Sequence, residues 1–227
     1  MDEQVGTLGS SPLFAALDSE AQDELRRRMD EVRLRRGETL FNEGDRGDRL
    51  YVVTQGKVKL GRTASDGREN LFGVLGPGEM FGELSLFDPG PRTATATAVT
   101  AATLHGLGHD DLQPLLLQRP EVAGRLLAAL ARRLRRTNEA MGDLVFSDVP
   151  GRVAKALLDL AKRFGVEAED GLRVTHDLTQ EELAQLVGAS RETVNKALAD
   201  FASRGFLRLE GRAVVILDVE RLTRRAG

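Results

Sequence analysis

The sequence predicts an α+β protein with an N-terminal antiparallel β-roll of the jelly-roll type, one long helix and a C-terminal winged helix-turn-helix. Three observations lead to this prediction. Short apolar runs broken by Gly, Asp and Pro fill residues 32–107, which is typical of a small antiparallel barrel. From residue 120 to about 146, apolar residues recur with helical spacing. Two short helical patterns around a glycine and a final hairpin pattern then complete the chain.

The composition limits the classes of function. The 227 residues are 41% hydrophobic and 30% charged, as in a folded globular protein. The absence of cysteine excludes disulfides, thiolate-held iron-sulfur clusters and cysteine catalysis. No segment has the roughly 18 consecutive apolar residues of a membrane helix, and the N-terminus has no signal-peptide pattern. We therefore expect a cytoplasmic protein without a membrane partner.

The elements follow one another in a simple order. Helical spacing with capping residues Asp18 and Ser19 predicts a first helix over Leu13–Met29. Four strands of the roll are then predicted at Thr39–Phe41, Leu50–Val53, Val58–Leu60 and Leu71–Leu75. We place the domain boundaries so that the β-roll spans 1–118, the long helix 119–147 and the winged helix-turn-helix 148–227. Pro150 and Gly151 mark the second boundary, because this pair ends regular structure.

One segment of the predicted roll has the chemistry of a phosphate and sugar site. Glu83 lies between a glycine and apolar residues, and Arg92 follows after a turn, flanked by small residues. A carboxylate accepts hydrogen bonds from ribose hydroxyls, and a guanidinium offers a forked, charged donor that matches phosphate oxygens. The small neighbours let backbone N–H groups approach as well. The segment is therefore predicted to bind a small phosphorylated sugar.

The long helix is predicted to continue to about Phe146 and to mediate dimerisation. An apolar seam recurs at steps of three and four along it, at Leu126, Leu130, Leu134, Thr137, Met141 and Leu144. A helix of this length is too long to be covered by a small roll, so we expect the seam to pack against the same helix of a second subunit. The arginines at positions 132, 133, 135 and 136 are predicted to form a solvated flank of this helix.

The segment 178–200 predicts a helix-turn-helix. Thr179 and Glu182 form a capping-box pattern that begins a helix, and Gly188 ends it. Ser190 then caps a second helix, whose buried side carries Val194 and Leu198. A loop around 167–171 precedes the first helix, and residues 206–217 read as a hairpin closed by Gly211 and Arg212.

The exposed start of the second helix suits the reading of DNA bases. Arg191 can bond guanine bidentately, Glu192 can accept from the amine of cytosine, and Lys196 can meet guanine or a phosphate, with Asn195 exposed beside them. Arg208 and Arg212 of the hairpin can reach phosphates. Overall charge gives little support, since residues 149–227 carry 13 Lys and Arg against 12 Asp and Glu. An ordinary helix pair with solvent-facing charges is the alternative.

With these parts in this order, the chain resembles the CRP/FNR family of bacterial transcription regulators, in particular its cyclic-AMP-sensing branch. The resemblance extends over essentially the whole chain. Its most specific segments are 81–84, 91–94, 131–138, 148–154 and 187–194.

The resemblance implies cAMP as the ligand, without a metal, and a role for each matching residue. Gly82, Glu83 and Leu84 would meet the ribose and the cyclic phosphate, and Arg92 with Thr93 would hold the phosphate. The adenine would be bonded by residues of the long helix, Thr137 and, from the other subunit, Asn138.

Two positions depart from the family pattern, and the remaining roles concern DNA. Asn138 stands where serine is usual. Because asparagine can both donate and accept, it is still expected to bond adenine, but with a weaker preference. Ser190, Arg191, Glu192, Asn195 and Lys196 would face DNA, and Lys196 replaces an arginine and so lacks its bidentate fork. The implied partners are palindromic double-stranded DNA, a second copy of the chain and RNA polymerase.

Three alternatives stand beside this interpretation. The first is an enzyme, because jelly rolls also host metal chemistry. Two observations disfavour it. His105, His109 and His176 are the only histidines, and neither Asp110-Asp111 nor Glu181-Glu182 forms a catalytic pair, since helical neighbours point about 100° apart. The second is a family member that senses another ligand. The third is a regulator that binds DNA without any ligand.

Overall fold

A computed structural model describes residues 7–15, 17–65, 67–88 and 90–227. Contacts divide the chain into two units, one formed by Met1–Arg62 and Phe72–Arg136, the other by Thr63–Leu71 and Thr137–Gly227. Among the described residues, none of the helices is both long and apolar enough to span a membrane.

The roll consists of two antiparallel four-stranded sheets. Their strands are β1 (Asp30–Leu34), β2 (Thr39–Phe41), β3 (Arg49–Gln55), β4 (Val58–Thr63), β5 (Glu69–Leu75), β6 (Met80–Phe81), β7 (Thr95–Ala98) and β8 (Ala102–Gly108). The strand orders are β1-β8-β3-β6 and β2-β7-β4-β5. Val53, Phe81 and Leu104 are fully buried and belong to the core. The predicted β-roll and its four named strands are confirmed.

The turn after β3 shows why one glycine is needed. Gly56 has a φ of +76°, and a Cβ at this position would lie 2.1 Å from the carbonyl oxygen of Ala101. Because both the backbone conformation and the space exclude a side chain, only glycine lets the chain pass here into β4.

The N-terminal helix is shorter than predicted. Helix α1 spans Ser19–Arg28, and the Asp18 side chain caps it by accepting from the N–H of Ala21. Leu13 and Phe14 are fully buried but lie in turns before the helix. Their apolar spacing therefore reflects burial in the core, and the cap at Asp18 marks the true helix start.

Three further helices belong to this part of the chain. Helix α2 (Leu84–Phe87) lies between β6 and β7, and α3 (His109–Gln118) and α4 (Pro120–Phe146) follow β8. The predicted bounds of the long helix α4 are confirmed. The predicted seam is only partly exposed, because Leu126 is buried with Val122 in the core of the roll unit. Leu127, Leu134 and Met141, which are spaced by seven residues, are 66%, 62% and 62% exposed. The exposed apolar stripe thus starts one position later than predicted.

The break after α4 differs from the prediction in one detail. Helix α5 spans Val149–Phe164, with the Asp148 side chain accepting from the N–H of Gly151, so Pro150 lies inside the first turn. Proline is tolerated there because its missing N–H has no partner in a first helical turn. The chain therefore breaks at Ser147–Asp148, just before the proline.

The C-terminal part is a winged helix-turn-helix. Its elements are β9 (Gly165–Ala168), β10 (Gly171–Thr175), α6 (Gln180–Val187), α7 (Arg191–Ser203), β11 (Leu207–Glu210), β12 (Ala213–Ile216) and α8 (Val219–Ala226). The four strands form an antiparallel sheet in the order β11-β12-β10-β9. The predicted hairpin at its end is confirmed. The loop predicted around 167–171 is wrong, because these residues form the β9–β10 hairpin, which is held by pairing of β10 with β12.

An ion pair joins the start of α5 to the C-terminal helix. Arg225 of α8 donates to the Asp148 carboxylate at 2.6 Å, and this bond, with that from the Gly151 N–H, holds the pKa of Asp148 below its usual value. A carboxylate with a lowered folded-state pKa stabilises the fold above its unfolded-state pKa of about 4, and this stabilisation is lost as the pH falls through the folded-state pKa.

We therefore expect Arg225→Gln to lower the melting temperature at pH 7, with the difference from the wild type shrinking below about pH 4. Calorimetric melting temperatures at pH 7 and pH 3 check this expectation. Arg224→Gln, which removes an exposed arginine of the same helix, is the matched control. An equal difference at both pH values would show that the charge of Asp148 is not involved.

Candidate functional site

The predicted phosphate and sugar residues come together in the roll. After β6 the chain turns at Gly82, whose φ is +79°, and a Cβ there would lie 2.7 Å from Nη1 of Arg92. Arg92 Nη1 donates to the carbonyl oxygen of Gly82 at 2.9 Å. A glycine is thus required where the backbone meets the guanidinium.

Two buried charged residues lie at this turn. Glu83 is 1% exposed and Arg92 is 5% exposed. Burial lowers the pKa of Arg92, while nearby carboxylates, among them Glu83, oppose this effect. Burial of a charged group is costly unless the group is paired and hydrogen-bonded. Burying these two charged side chains therefore costs folding free energy that the roll must offset elsewhere.

A third residue, predicted to lie on a solvated flank, completes the cluster. Arg133 of α4 donates from Nη1 to Oε1 of Glu83 at 2.8 Å. The prediction of a solvated flank is therefore wrong for Arg133. The sequence held one signal for it, the basic run 132–136, but nothing in that run distinguishes the arginine that turns inward.

Two polar atoms of the cluster are buried without a hydrogen-bond partner in the described part of the chain. They are Oε2 of Glu83 and Nε of Arg92. Buried unpaired polar atoms are rare in native proteins, and each costs about 1 to 3 kcal/mol. An acceptor and a donor of this kind suit a ligand that brings both a hydroxyl group and an anion.

The other predicted ligand residues are less enclosed. Leu84 begins α2, and both Leu84 and Thr93 are exposed. Thr137 and Asn138 are exposed residues of α4. Their contact with a ligand stays a prediction.

The helix-turn-helix is formed by the predicted local signals. The Thr179 hydroxyl accepts from the N–H of Glu182 at 3.1 Å, and the Glu182 carboxylate accepts from the N–H of Thr179 at 2.7 Å, which completes the capping box. Gly188 ends α6 in the left-handed conformation with a φ of 69°. Ser190 caps α7 by accepting from the N–H of Thr193. The predicted bounds of both helices follow from these caps.

An arginine of α5 braces the turn between the two helices. Arg152 donates from Nε to the carbonyl of Val187 at 3.1 Å, from Nη2 to that of Gly188 at 3.3 Å, and from Nη1 to that of Ser147 at 2.7 Å. A cation at helix C-terminal carbonyls satisfies acceptors that the helix cannot bond itself. The turn is thereby fixed to the segment before α5.

The predicted reading residues lie at the start of α7. Val194 and Leu198 are buried as predicted, whereas Arg191, Glu192 and Lys196 are exposed. Lys196 and Glu192 form an exposed ion pair at 2.8 Å. Asn195 is half-buried, which differs from the exposure expected for it. A base that contacts either side chain would compete with this ion pair.

The hairpin after α7 is less available for phosphates than the sequence suggested. Arg208 is bonded to Asp170 and to Glu210. A phosphate would have to compete with both carboxylates for this arginine. In the described residues, no group of three or more His, Cys, Asp or Glu side chains is placed to hold a metal ion.

Comparison with known proteins agrees with this geometry. Residues 31–119 match the family profile described as a cyclic nucleotide-binding domain, and residues 151–225 match that of a Crp-like helix-turn-helix domain. A CRP-like cAMP-activated global transcriptional regulator of Mycobacterium tuberculosis is 57% identical over 226 residues, 100% of each chain.

Solved structures show the same fold. The crystal structure of the Thermus thermophilus catabolite activator protein has a TM-score of 0.55 and 38% identity, covering 95% of this chain and 98% of the other. The c-di-GMP-responsive global regulator CLP of Xanthomonas campestris has a TM-score of 0.76 and 28% identity, covering 88% and 99%. These relatives are regulators and not enzymes, so the enzyme alternative is rejected. The chain belongs to the CRP/FNR family of transcription regulators and joins a cyclic nucleotide-binding domain to a DNA-binding helix-turn-helix.

Proposed function

We propose that this regulator binds cAMP in the roll and, as a homodimer, binds palindromic promoter DNA in response. The observation that carries the proposal is the buried cluster of Glu83, Arg92 and Arg133, with one acceptor and one donor left unpaired. A cyclic nucleotide offers both a ribose hydroxyl and a phosphate. Its binding would satisfy both atoms at once.

Each residue of the site has a role in this proposal. Glu83 accepts from the ribose hydroxyl through Oε2, while Arg133 holds Oε1. Arg92, with Thr93, holds the cyclic phosphate, because a buried guanidinium pairs strongly with a phosphate. Gly82 and Leu84 bring backbone N–H groups toward the sugar. The relative from Mycobacterium tuberculosis is described as cAMP-activated, which supports the choice of nucleotide.

The adenine would be recognised by residues of the long helix. Thr137 bonds the adenine amino group, joined by Asn138 of a second copy of the chain. Asparagine carries its donor and its acceptor on separate atoms of a longer side chain than serine, so it can bond the edge of another base as well. The adenine preference therefore rests on Thr137 more than on Asn138.

A second copy is proposed to cover the exposed stripe of α4. Leu127, Leu134 and Met141 are largely exposed at steps of seven residues, which is the spacing of a two-stranded coiled coil. Apolar residues at this spacing on an exposed helix stabilise a parallel partner of the same sequence. The site and the dimer are thus linked through one helix.

Leu134→Lys is expected to weaken the dimer, because it places a charge in the apolar stripe. Burial of an unpaired charge is strongly unfavourable. Sedimentation velocity over a range of concentrations measures the monomer fraction. Glu139→Lys, which adds the same side chain at an exposed position away from the stripe, is the control. A dimer of unchanged stability in the Leu134 variant would contradict the proposed interface.

The proposed mechanism is a shift of population between two arrangements of the dimer. A ligand moves an equilibrium only by its differential affinity for the two states, and a full switch needs about 5.5 kcal/mol. Nucleotide that bridges the roll and the long helices would favour the arrangement in which both α7 helices enter successive major grooves, about 34 Å apart. Ser190, Arg191, Glu192, Asn195 and Lys196 would then face DNA.

The proposed mechanism implies a cellular location and a further partner. A regulator of promoters acts in the bacterial cytoplasm, with RNA polymerase as its further partner. We propose functional boundaries that give the roll 1–118, the dimer helix 119–147 and the DNA-binding domain 148–227.

A second candidate is a regulator of the same architecture that answers to a different nucleotide. The Xanthomonas campestris relative is described as c-di-GMP-responsive, and Asn138 is the departure from the pattern that would admit another base. DNA binding without any ligand is the remaining alternative.

Isothermal titration of the full-length protein with cAMP, cGMP and c-di-GMP tests these candidates. The proposal predicts saturable binding of cAMP and weaker binding of the other two. Tighter binding of c-di-GMP or cGMP than of cAMP would identify that nucleotide as the ligand instead of cAMP. The absence of heat with all three would contradict a nucleotide-responsive regulator.

A further inference from the structure

Three aromatic rings pack together, and two of them lie within about 6 Å of the Arg92 guanidinium. Phe41 ends β2, Tyr51 lies on β3 and Phe81 ends β6. The ring centroids are 5.6 to 6.1 Å apart. Gly106 of β8 makes room for the Tyr51 ring, because a Cβ there would lie 3.0 Å from Cε1 of Tyr51. We refer to these three rings as the aromatic cluster.

The Arg92 guanidinium lies over one ring of the aromatic cluster. Its Cζ is 4.2 Å from the centroid of Phe41 and 5.8 Å from that of Tyr51. A cation over the face of an aromatic ring within about 6 Å is attracted by the ring quadrupole. The shorter distance identifies Phe41 as the principal partner.

Hydrogen bonds alone would hold Arg92 only at one end. Nη1 donates to the carbonyl of Gly82, while Nε is buried without a partner in the described residues. A single bond fixes one nitrogen but leaves the guanidinium plane free to turn about it. The face of the Phe41 ring restricts this rotation.

Three nearby carboxylates also attract the guanidinium. Asp45, Asp48 and Glu83 all attract the charge of Arg92. If part of the population turned toward them, the apparent affinity for a phosphate would fall in proportion to the fraction still oriented correctly. Preorganisation by a ring therefore increases affinity without any contact between the ring and the ligand.

We propose that Phe41 is a positioning residue for nucleotide binding, whose ring face holds the Arg92 guanidinium in the orientation that meets the phosphate. This inference rests on the proposed function, since it takes Arg92 as the phosphate ligand. A ring that only filled space in the roll would contribute to stability but not to affinity.

Stepwise fluorination of the ring tests this role. Phenylalanine at position 41 is replaced by its 4-fluoro, 3,5-difluoro and 3,4,5-trifluoro analogues in the full-length protein. These analogues weaken the negative charge of the ring face in steps, with little change in size. We expect the cAMP affinity, measured by isothermal titration, to fall in the same steps, to a total of about 2- to 30-fold. The same series at Phe72, an exposed phenylalanine of β5, is the control and is expected to leave the affinity unchanged.

Wild type and Arg92→Ala are titrated alongside the series, and the melting temperature of each variant is measured. An unchanged cAMP affinity across the Phe41 series overturns the positioning role, whether or not the melting temperature changes. The proposed function stays intact in that case if Arg92→Ala still loses cAMP binding. A wild type that does not bind cAMP overturns the proposed function and this inference together. A graded fall at Phe41 but not at Phe72 supports the inference.

Discussion

Replacing Arg92 with alanine is expected to lower the affinity for cAMP by at least about a hundredfold, or about 3 kcal/mol. Arg92 is the buried cation of the site, so its removal would leave the phosphate without its charged partner. It would also leave the Glu83 carboxylate with less opposing charge, since Glu83 is among the carboxylates that attract Arg92. Isothermal titration with cAMP measures this loss.

The control for this variant is Arg33→Ala, which removes an exposed arginine of β1. It is expected to leave the cAMP affinity unchanged, and both variants are checked by thermal unfolding. A folded Arg92→Ala protein that binds cAMP as well as the wild type would mean that the phosphate lies elsewhere.

Replacing Arg191 with alanine is expected to weaken binding to the specific DNA site by about 1 to 3 kcal/mol for each half-site. Arg191 is the first residue of α7, exposed just after the Ser190 cap. A guanidinium there can bond both acceptors of a guanine. The variant should therefore lose its preference for guanine at one position of each half-site, which binding to a set of single-base variants of the site measures.

Arg204→Ala is the matched control, because Arg204 lies at the other end of the same helix and pairs with Asp200. It is expected to have a small effect on the affinity and none on the base preference. Uniform weakening of Arg191→Ala across all DNA sequences, with a smaller salt dependence, would instead indicate a phosphate contact.

Features that depend on neighbours in sequence could be predicted. The capping box of Thr179 and Glu182 and the left-handed Gly188 are local signals, and they fix the bounds of α6. The long helix α4 likewise follows from its period. Glu83 and Arg92 could be assigned to one site because both lie in one short segment next to a turn.

Features that depend on distant neighbours could not be predicted. Arg133 reaches Glu83 across 50 positions of sequence, and no local pattern separates it from its neighbouring arginines. The helical spacing placed Leu126 in the dimer stripe, but the core of the roll unit covers it. The short strand β9 has the weakly strand-forming residues Gly165, Glu167 and Ala168, and its hairpin exists because β10 pairs with β12.

In the proposed mechanism nucleotide binding is coupled to DNA binding, and fluorescence anisotropy of a labelled palindromic DNA fragment measures this coupling. The full-length protein is titrated into the fragment at fixed salt, with and without saturating cAMP. We expect tighter DNA binding by the wild type with cAMP, and no such gain for Arg92→Ala. Equal DNA affinity of the wild type in the presence and absence of cAMP would contradict it.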